Sequence, residues 1–116
     1  MKKFTHFILI ITAVTVLSYC SSSRKTTART VPVLTYEVNI RQLVTEKCTP
    51  CHIPSKGGNK LAFDSYDGVK NNIDSIIARI ERVPGQKGFM PFKKPKLSDS
   101  TINVFKQWKA DGLNAK

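Results

Sequence analysis

The residues that usually carry chemistry are scarce in this chain. Among 116 residues there are 3 cysteines, 2 histidines, 2 methionines and 1 tryptophan. The histidines are His6 and His52, and the methionines are Met1 and Met90. Acidic residues are also few, with 8 Asp and Glu against 19 Lys and Arg, for a formal charge of +11. There are no internal repeats and no room for a second domain. The longest apolar stretch, Phe7 to Leu17, is interrupted by Thr12 and Thr15 and is shorter than the roughly 20 residues of an ordinary spanning helix. The basic balance does not by itself select nucleic acid. No recognition-helix pattern, zinc finger or basic patch interleaved with aromatics accompanies it.

The first 20 residues are laid out for export. Lys2 and Lys3 precede the apolar stretch, as in a secretory signal peptide. It closes on Leu17-Ser18-Tyr19-Cys20 followed by three serines, which resembles the lipobox of bacterial lipoproteins. That resemblance implies a signal peptide over 1–19, a lipidated Cys20 as the new first residue, and anchorage in the cell envelope on the periplasmic side or at the outer membrane. Tyr19 stands where a small residue is usual. The alternatives are an ordinary Cys20 near a conventional cleavage site, or an uncleaved anchor. Residues 20–33, rich in Ser, Thr, Arg and Lys without apolar period, read as a flexible tether, with the domain over 34–116. An exported basic domain is suited to acidic partner proteins or anionic lipid.

The remaining two cysteines lie in Cys48-Thr49-Pro50-Cys51-His52. Two thiols at this spacing can each be offered to a vinyl group of one porphyrin, and the following imidazole can reach its iron. Cys-x-x-Cys-His is accordingly the signature of c-type haem attachment. The same residues could form a thioredoxin-like dithiol or half of a zinc site. The dithiol reading lacks a preceding strand pattern. The zinc reading needs further ligands, and only Cys20 and His6 remain, both in the leader region.

Periodicity predicts helices on both sides. Tyr36, Ile40, Leu43 and Val44 share a helical face between Tyr36 and Lys47, with Asn39 weakening the propensity. After His52, the stretch from Pro54 through Lys60 reads as a loop, and Leu61 to Tyr66 as a short aromatic patch, Phe63 and Tyr66 being available to pack over a haem edge or simply in the core. Val69, Ile73, Ile76, Ile77, Ile80 and Val83 form one helical stripe stopped by Pro84-Gly85. Gln86 to Lys96 carries no regular pattern. Ser98 is a plausible N-cap, with Asp99 competing, for a last helix bearing Ile102, Val104, Phe105, Trp108 and Leu113 and ending near Gly112. Phe105 and Trp108 are expected to face the first helix. Arg79 and Arg82 both qualify to meet a haem propionate.

Given haem, Met90 is the one methionine outside the leader, and His52 the one histidine. A thioether ligand opposite His52 would therefore be Met90, sitting in a Gly/Pro-rich loop. Lysine ligation and an open site are the alternatives, and core filling is the ordinary role of a lone methionine. Met/His ligation raises haem potential and leaves no vacant position.

The order of these parts resembles a small monohaem cytochrome c of class I type. The likeness runs from Val38 through Leu113: Val38-x-Ile40-x-x-Leu43-Val44 leading into Cys48-x-x-Cys51-His52, then Leu61-x-Phe63-x-Ser65-Tyr66, Arg79-Ile80, Met90-Pro91, and Leu97-Ser98 leading to Trp108-x-x-x-Gly112. It implies an all-α fold packed around one covalent haem, with the terminal helices crossing beside it. Cys48 and Cys51 would be thioether donors, with His52 and Met90 as axial ligands. Family members often have glycine shortly after the attachment histidine; Ile53 stands at that place here. The expected function is single-electron transfer between redox partner proteins, acidic ones suiting the charge. The competing classes are a haem peroxidase, which needs an open distal site, and a haem sensor or non-redox assembly subunit.

Overall fold

The computed structural model describes residues 32–116. The leader, Cys20 and most of the tether lie outside the described residues, and so do the expectations attached to them. Among the described residues the secondary structure is entirely helical, and no helix is long and apolar enough to cross a membrane.

Helix α1 begins with a wide turn over Tyr36–Ile40, in which the Arg41 N–H reaches back to the Tyr36 carbonyl, and continues as α-helix over Arg41–Lys47. Its start is fixed by a reciprocal cap. Thr35 Oγ1 accepts from the Val38 N–H at 3.4 Å, and the Thr35 N–H donates to Asn39 Oδ1 at 2.9 Å. Asn39, unfavourable by propensity, thus serves as a capping partner. Tyr36, Ile40 and Val44 are buried on one face.

The expected single helix over 69–83 is two. Ser65 caps α2, Tyr66–Lys70, and α3 follows over Ile73–Ile80. The break lies at Asn71-Asn72, where the Asn72 amide turns back to donate to the Gly68 carbonyl at 2.8 Å. An asparagine that satisfies backbone groups locally competes with helix continuation. The apolar residues still converge on one core, since Val69, Ile73, Ile76 and Ile80 are all buried. Val83 is past the helix end and 67% exposed, so the stripe stops one turn earlier than its periodicity suggests.

Helix α4 spans Asp99–Ala110 and is capped by Ser98, whose Oγ accepts from the Thr101 N–H at 3.2 Å. Gly112 takes φ +94, the left-handed exit that glycine supplies without a Cβ penalty. Leu113 lies beyond the helix, not on it. Helices α1 and α4 meet through Tyr36 and Trp108, whose rings lie 6.2 Å apart. Tyr66 completes the cluster, edge-on to Tyr36 at 5.7 Å and to Trp108 at 6.3 Å.

The last residues are tied across this junction. The Tyr36 N–H and Trp108 Nε1 both donate to the Asn114 carbonyl at 2.9 Å, and the Tyr66 hydroxyl donates to the Leu113 carbonyl at 2.7 Å. Burying Trp108, Phe105, Ile40, Val44 and Val69 contributes roughly 1.5–3 kcal/mol for each large side chain. The ion pairs Lys106–Glu81 and Lys109–Asp74 bridge α3 and α4 at the surface, where such pairs add little.

Candidate functional site

The segment that follows α1 keeps to the helix end. The Cys48 N–H donates to the Val44 carbonyl at 2.9 Å, the His52 N–H to the Cys48 carbonyl at 3.1 Å, and the Ile53 N–H to the Pro50 carbonyl at 3.0 Å. The motif is thus a run of turns continuing α1. Ile53 is buried in the core, and a short turn over Pro54–Lys56 follows.

The chain then folds back along the motif. The Lys60 N–H donates to the Cys51 carbonyl at 3.0 Å and the Phe63 N–H to the His52 carbonyl at 2.9 Å. This return requires glycine at Gly58, because a Cβ there would stand 2.7 Å from the Cys51 carbonyl oxygen and closer still to that of Pro50. Glycine's place after the histidine is therefore set by the returning loop, and Ile53 packs inward.

His52 is held on two sides. Its Nδ1 lies 2.7 Å from the Leu61 carbonyl, and its ring stacks on Phe63 with centroids 4.3 Å apart and planes 7° from parallel. A carbonyl only accepts, so in the neutral ring this contact selects the tautomer with the proton on Nδ1 and the lone pair on Nε2. Fixing one ring nitrogen on a backbone carbonyl is the usual way of orienting a ligating imidazole.

Cys48, Cys51, His52 and Met90 all line one cavity of about 540 Å³. Helix α3 contributes Ile76, Arg79 and Ile80, helix α4 contributes Phe105, and the loop after α3 contributes Pro91, Phe92, Lys94 and Leu97. Met90 is partly buried, and its N–H donates to the Arg79 carbonyl at 3.1 Å. The wall is mainly apolar, and its charged members are Lys47, Lys60, Arg79 and Lys94, without a carboxylate.

The two thiols are free and unequal. Cys51 is exposed, whereas Cys48 is partly buried against the core, and burial pushes its thiol up to about 11, partly offset by the nearby Lys94 ammonium. Among the described residues no three His, Cys, Asp or Glu side chains form a cage for a metal ion.

Of the two arginines, Arg79 lines the cavity, while Arg82 Nη1 donates to the Lys87 carbonyl. Phe63 belongs to the cavity wall and Tyr66 does not; Tyr66 packs into the helix junction instead. Lys60, Lys94, Leu97 and Phe105 were not singled out for this wall by the sequence. Lys60 and Lys94 sit in loops without period, and Phe105 reads equally well as a core residue of α4. No protein-family model, no curated protein and no solved structure matches this chain.

Proposed function

We propose that the protein is an exported single-electron carrier holding one covalent c-type haem, with a cytochrome c-like arrangement of its helices. A single arrangement carries this reading: two thiols, an oriented imidazole and a thioether line one apolar cavity. Its volume of about 540 Å³ lies within the roughly 300–1,000 Å³ usual for small-molecule and cofactor sites, and its cationic members suit a ligand that is apolar in body and carboxylated at its edge. On these grounds the residues present fit the group.

Each residue then has a task. Cys48 and Cys51 would hold the haem covalently, each thiol adding its sulfur and hydrogen across a vinyl C=C bond, so that nothing would leave and no outside oxidant or reductant would be needed. His52 would hold the iron through Nε2, its other nitrogen being held by the Leu61 carbonyl. Met90 would supply its sulfur as second ligand, and Arg79 is the arginine available to a propionate. Ile76, Ile80, Phe63 and Phe105 give the cavity an apolar wall. When bound, the haem supplies an iron that accepts and returns one electron. With His52 and Met90 both serving as ligands, the thioether would favour the reduced state and leave no position for small ligands, which suits transfer rather than peroxidase chemistry.

The test is a reduced-minus-oxidised spectrum with pyridine haem quantification on the purified protein, with one covalent haem per chain expected. Free thiols at both Cys48 and Cys51, together with disulfide-exchange activity and no haem, would support the dithiol reading instead. Envelope anchorage through a lipidated Cys20, with acidic redox proteins as partners, belongs to the same proposal. Mass spectrometry of the mature amino terminus tests the anchor, and an unlipidated start downstream of Cys20 would reject it.

A further inference from the structure

The loop that carries Met90 is thinly attached. From Gln86 to Leu97 it contains neither helix nor strand. Two of its hydrogen bonds are internal, Phe89 N–H to Gln86 carbonyl at 2.9 Å and Lys94 N–H to Pro91 carbonyl at 3.2 Å. Its ties outward are to α3 and the turn after it, where Met90 N–H meets the Arg79 carbonyl, Arg82 meets the Lys87 carbonyl and Gln86 and Val83 bond each other, and one to the other side. Lys94 Nζ donates to the Thr49 carbonyl at 2.9 Å, 45 residues away in sequence. Among the described residues this is the one hydrogen bond that joins the loop of Met90 to the segment of Cys48, Cys51 and His52.

We infer that Lys94 is a clasp that positions Met90, its ammonium holding the methionine loop on the Thr49 carbonyl at the cavity edge. The inference rests on the proposed ligation by Met90 and adds a positioning residue to it; Lys94 is not itself given a place on the iron. The site suits a cation. Thr49 lies just past the C-terminal end of α1, where unpaired carbonyls and the helix dipole favour positive charge. Among the described residues no backbone N–H reaches that carbonyl, so the lysine satisfies a group otherwise left to solvent. A hydrogen bond with an ionised donor is stronger than a neutral one. Lys93, the adjacent residue, does something different: its Nζ lies over the Phe92 ring, 5.3 Å from the centroid.

That difference supplies a matched control, because Lys93→Gln and Lys94→Gln remove the same charge one residue apart. The comparison is made on the purified full chain for native protein, Lys93→Gln, Lys94→Gln and Lys94→Arg. The measurements are the thermal loss of the ferric sulfur-to-iron absorption feature, the rate of imidazole binding to ferric iron, and amide hydrogen exchange over 88–97. In Lys94→Gln the feature should vanish at lower temperature, imidazole should enter on the order of tenfold faster, and exchange should rise across the loop. Lys94→Arg, which keeps a charged donor, and Lys93→Gln should both behave as native. Native-like values in Lys94→Gln, or equal effects in Lys93→Gln, would overturn the clasp. Covalent haem content is measured on the same samples. Its absence would reject the proposed function, and the exchange data would still decide whether Lys94 holds the loop.

Discussion

His52 Nδ1 and the Leu61 carbonyl oxygen lie 2.7 Å apart, so the orientation of the imidazole is set by a backbone group nine residues further on. The side chain that reaches the cavity is therefore only as well placed as the loop behind it. That loop is pinned at Lys60 and Phe63 by two backbone hydrogen bonds to the motif itself.

Gly58→Ala tests this dependence. The added Cβ would collide with the Pro50 and Cys51 carbonyls, backbone atoms that cannot swing aside, so the return loop must lift. A loss of roughly 1–3 kcal/mol in unfolding free energy is expected, the usual cost of forcing an atom into a packed site, together with poorer haem loading. Denaturant midpoints and covalent haem content measure both. A fully stable, fully loaded variant would show that the loop does not orient His52.

The two thiols should differ in reactivity before any attachment. In the haem-free protein, an alkylating reagent at pH 8 should modify exposed Cys51 at least about tenfold faster than Cys48, because only the thiolate reacts and burial pushes the Cys48 thiol up to about 11. The linkage has a definite sign. A thiol raised from 9.0 to about 11 on folding stabilises the fold fully below pH 9, and that contribution is lost between pH 9 and about 11. The slope is at most about 1.4 kcal/mol per pH unit. Peptide mapping and urea titrations over that range check both, and equal labelling rates would contradict the burial of Cys48.

Tyr66→Phe should separate the helix junction from the cavity. Its hydroxyl bonds the Leu113 carbonyl at 2.7 Å, and removing it leaves an acceptor unpaired at a cost of about 1–2 kcal/mol. Tyr66 does not line the cavity, so haem content and iron spectra should stay as in the native protein. A spectral change with unaltered stability would place Tyr66 at the haem edge after all.

How far the sequence anticipates the structure depends on whether a signal is local. Tyr36, Ile40 and Val44 declare α1 by spacing, and Ser98 declares the start of α4 by its cap. The break between α2 and α3 was hidden because Val69 and Ile73 keep helical register across Asn71-Asn72 while the backbone between them does not. Tyr66 stays open in the sequence for a related reason: an aromatic next to the motif is equally suited to a haem edge or the core, and its hydroxyl bond to Leu113 puts it in the helix junction. Cys48, Cys51, His52 and Met90, singled out by residue type and elimination, all line one cavity. Lys94 carried no such mark. One lysine among many in a proline-rich loop acquires a role only through a carbonyl 45 residues earlier.

Met90→Ala tests the proposed chemistry most directly. With Cys48, Cys51 and His52 intact, the variant should keep its covalent haem. It should lose the ferric sulfur-to-iron absorption feature and show a lower midpoint potential, since thioether ligation favours the reduced iron. Cyanide and carbon monoxide should bind faster, and peroxidase activity should rise, because the coordination barrier to small ligands is gone. Met90 is only partly buried, so the loss of stability should fall at or below the low end of the roughly 2–5 kcal/mol typical of a fully buried Met→Ala change. A purely packing role gives a different pattern, destabilisation without change in axial-ligand spectra. Ferric absorption, redox titration and ligand-binding kinetics, compared after confirming that both proteins are folded, distinguish the two. Unchanged iron coordination in Met90→Ala would reject the thioether ligand and leave lysine ligation or an open, catalytic site in its place.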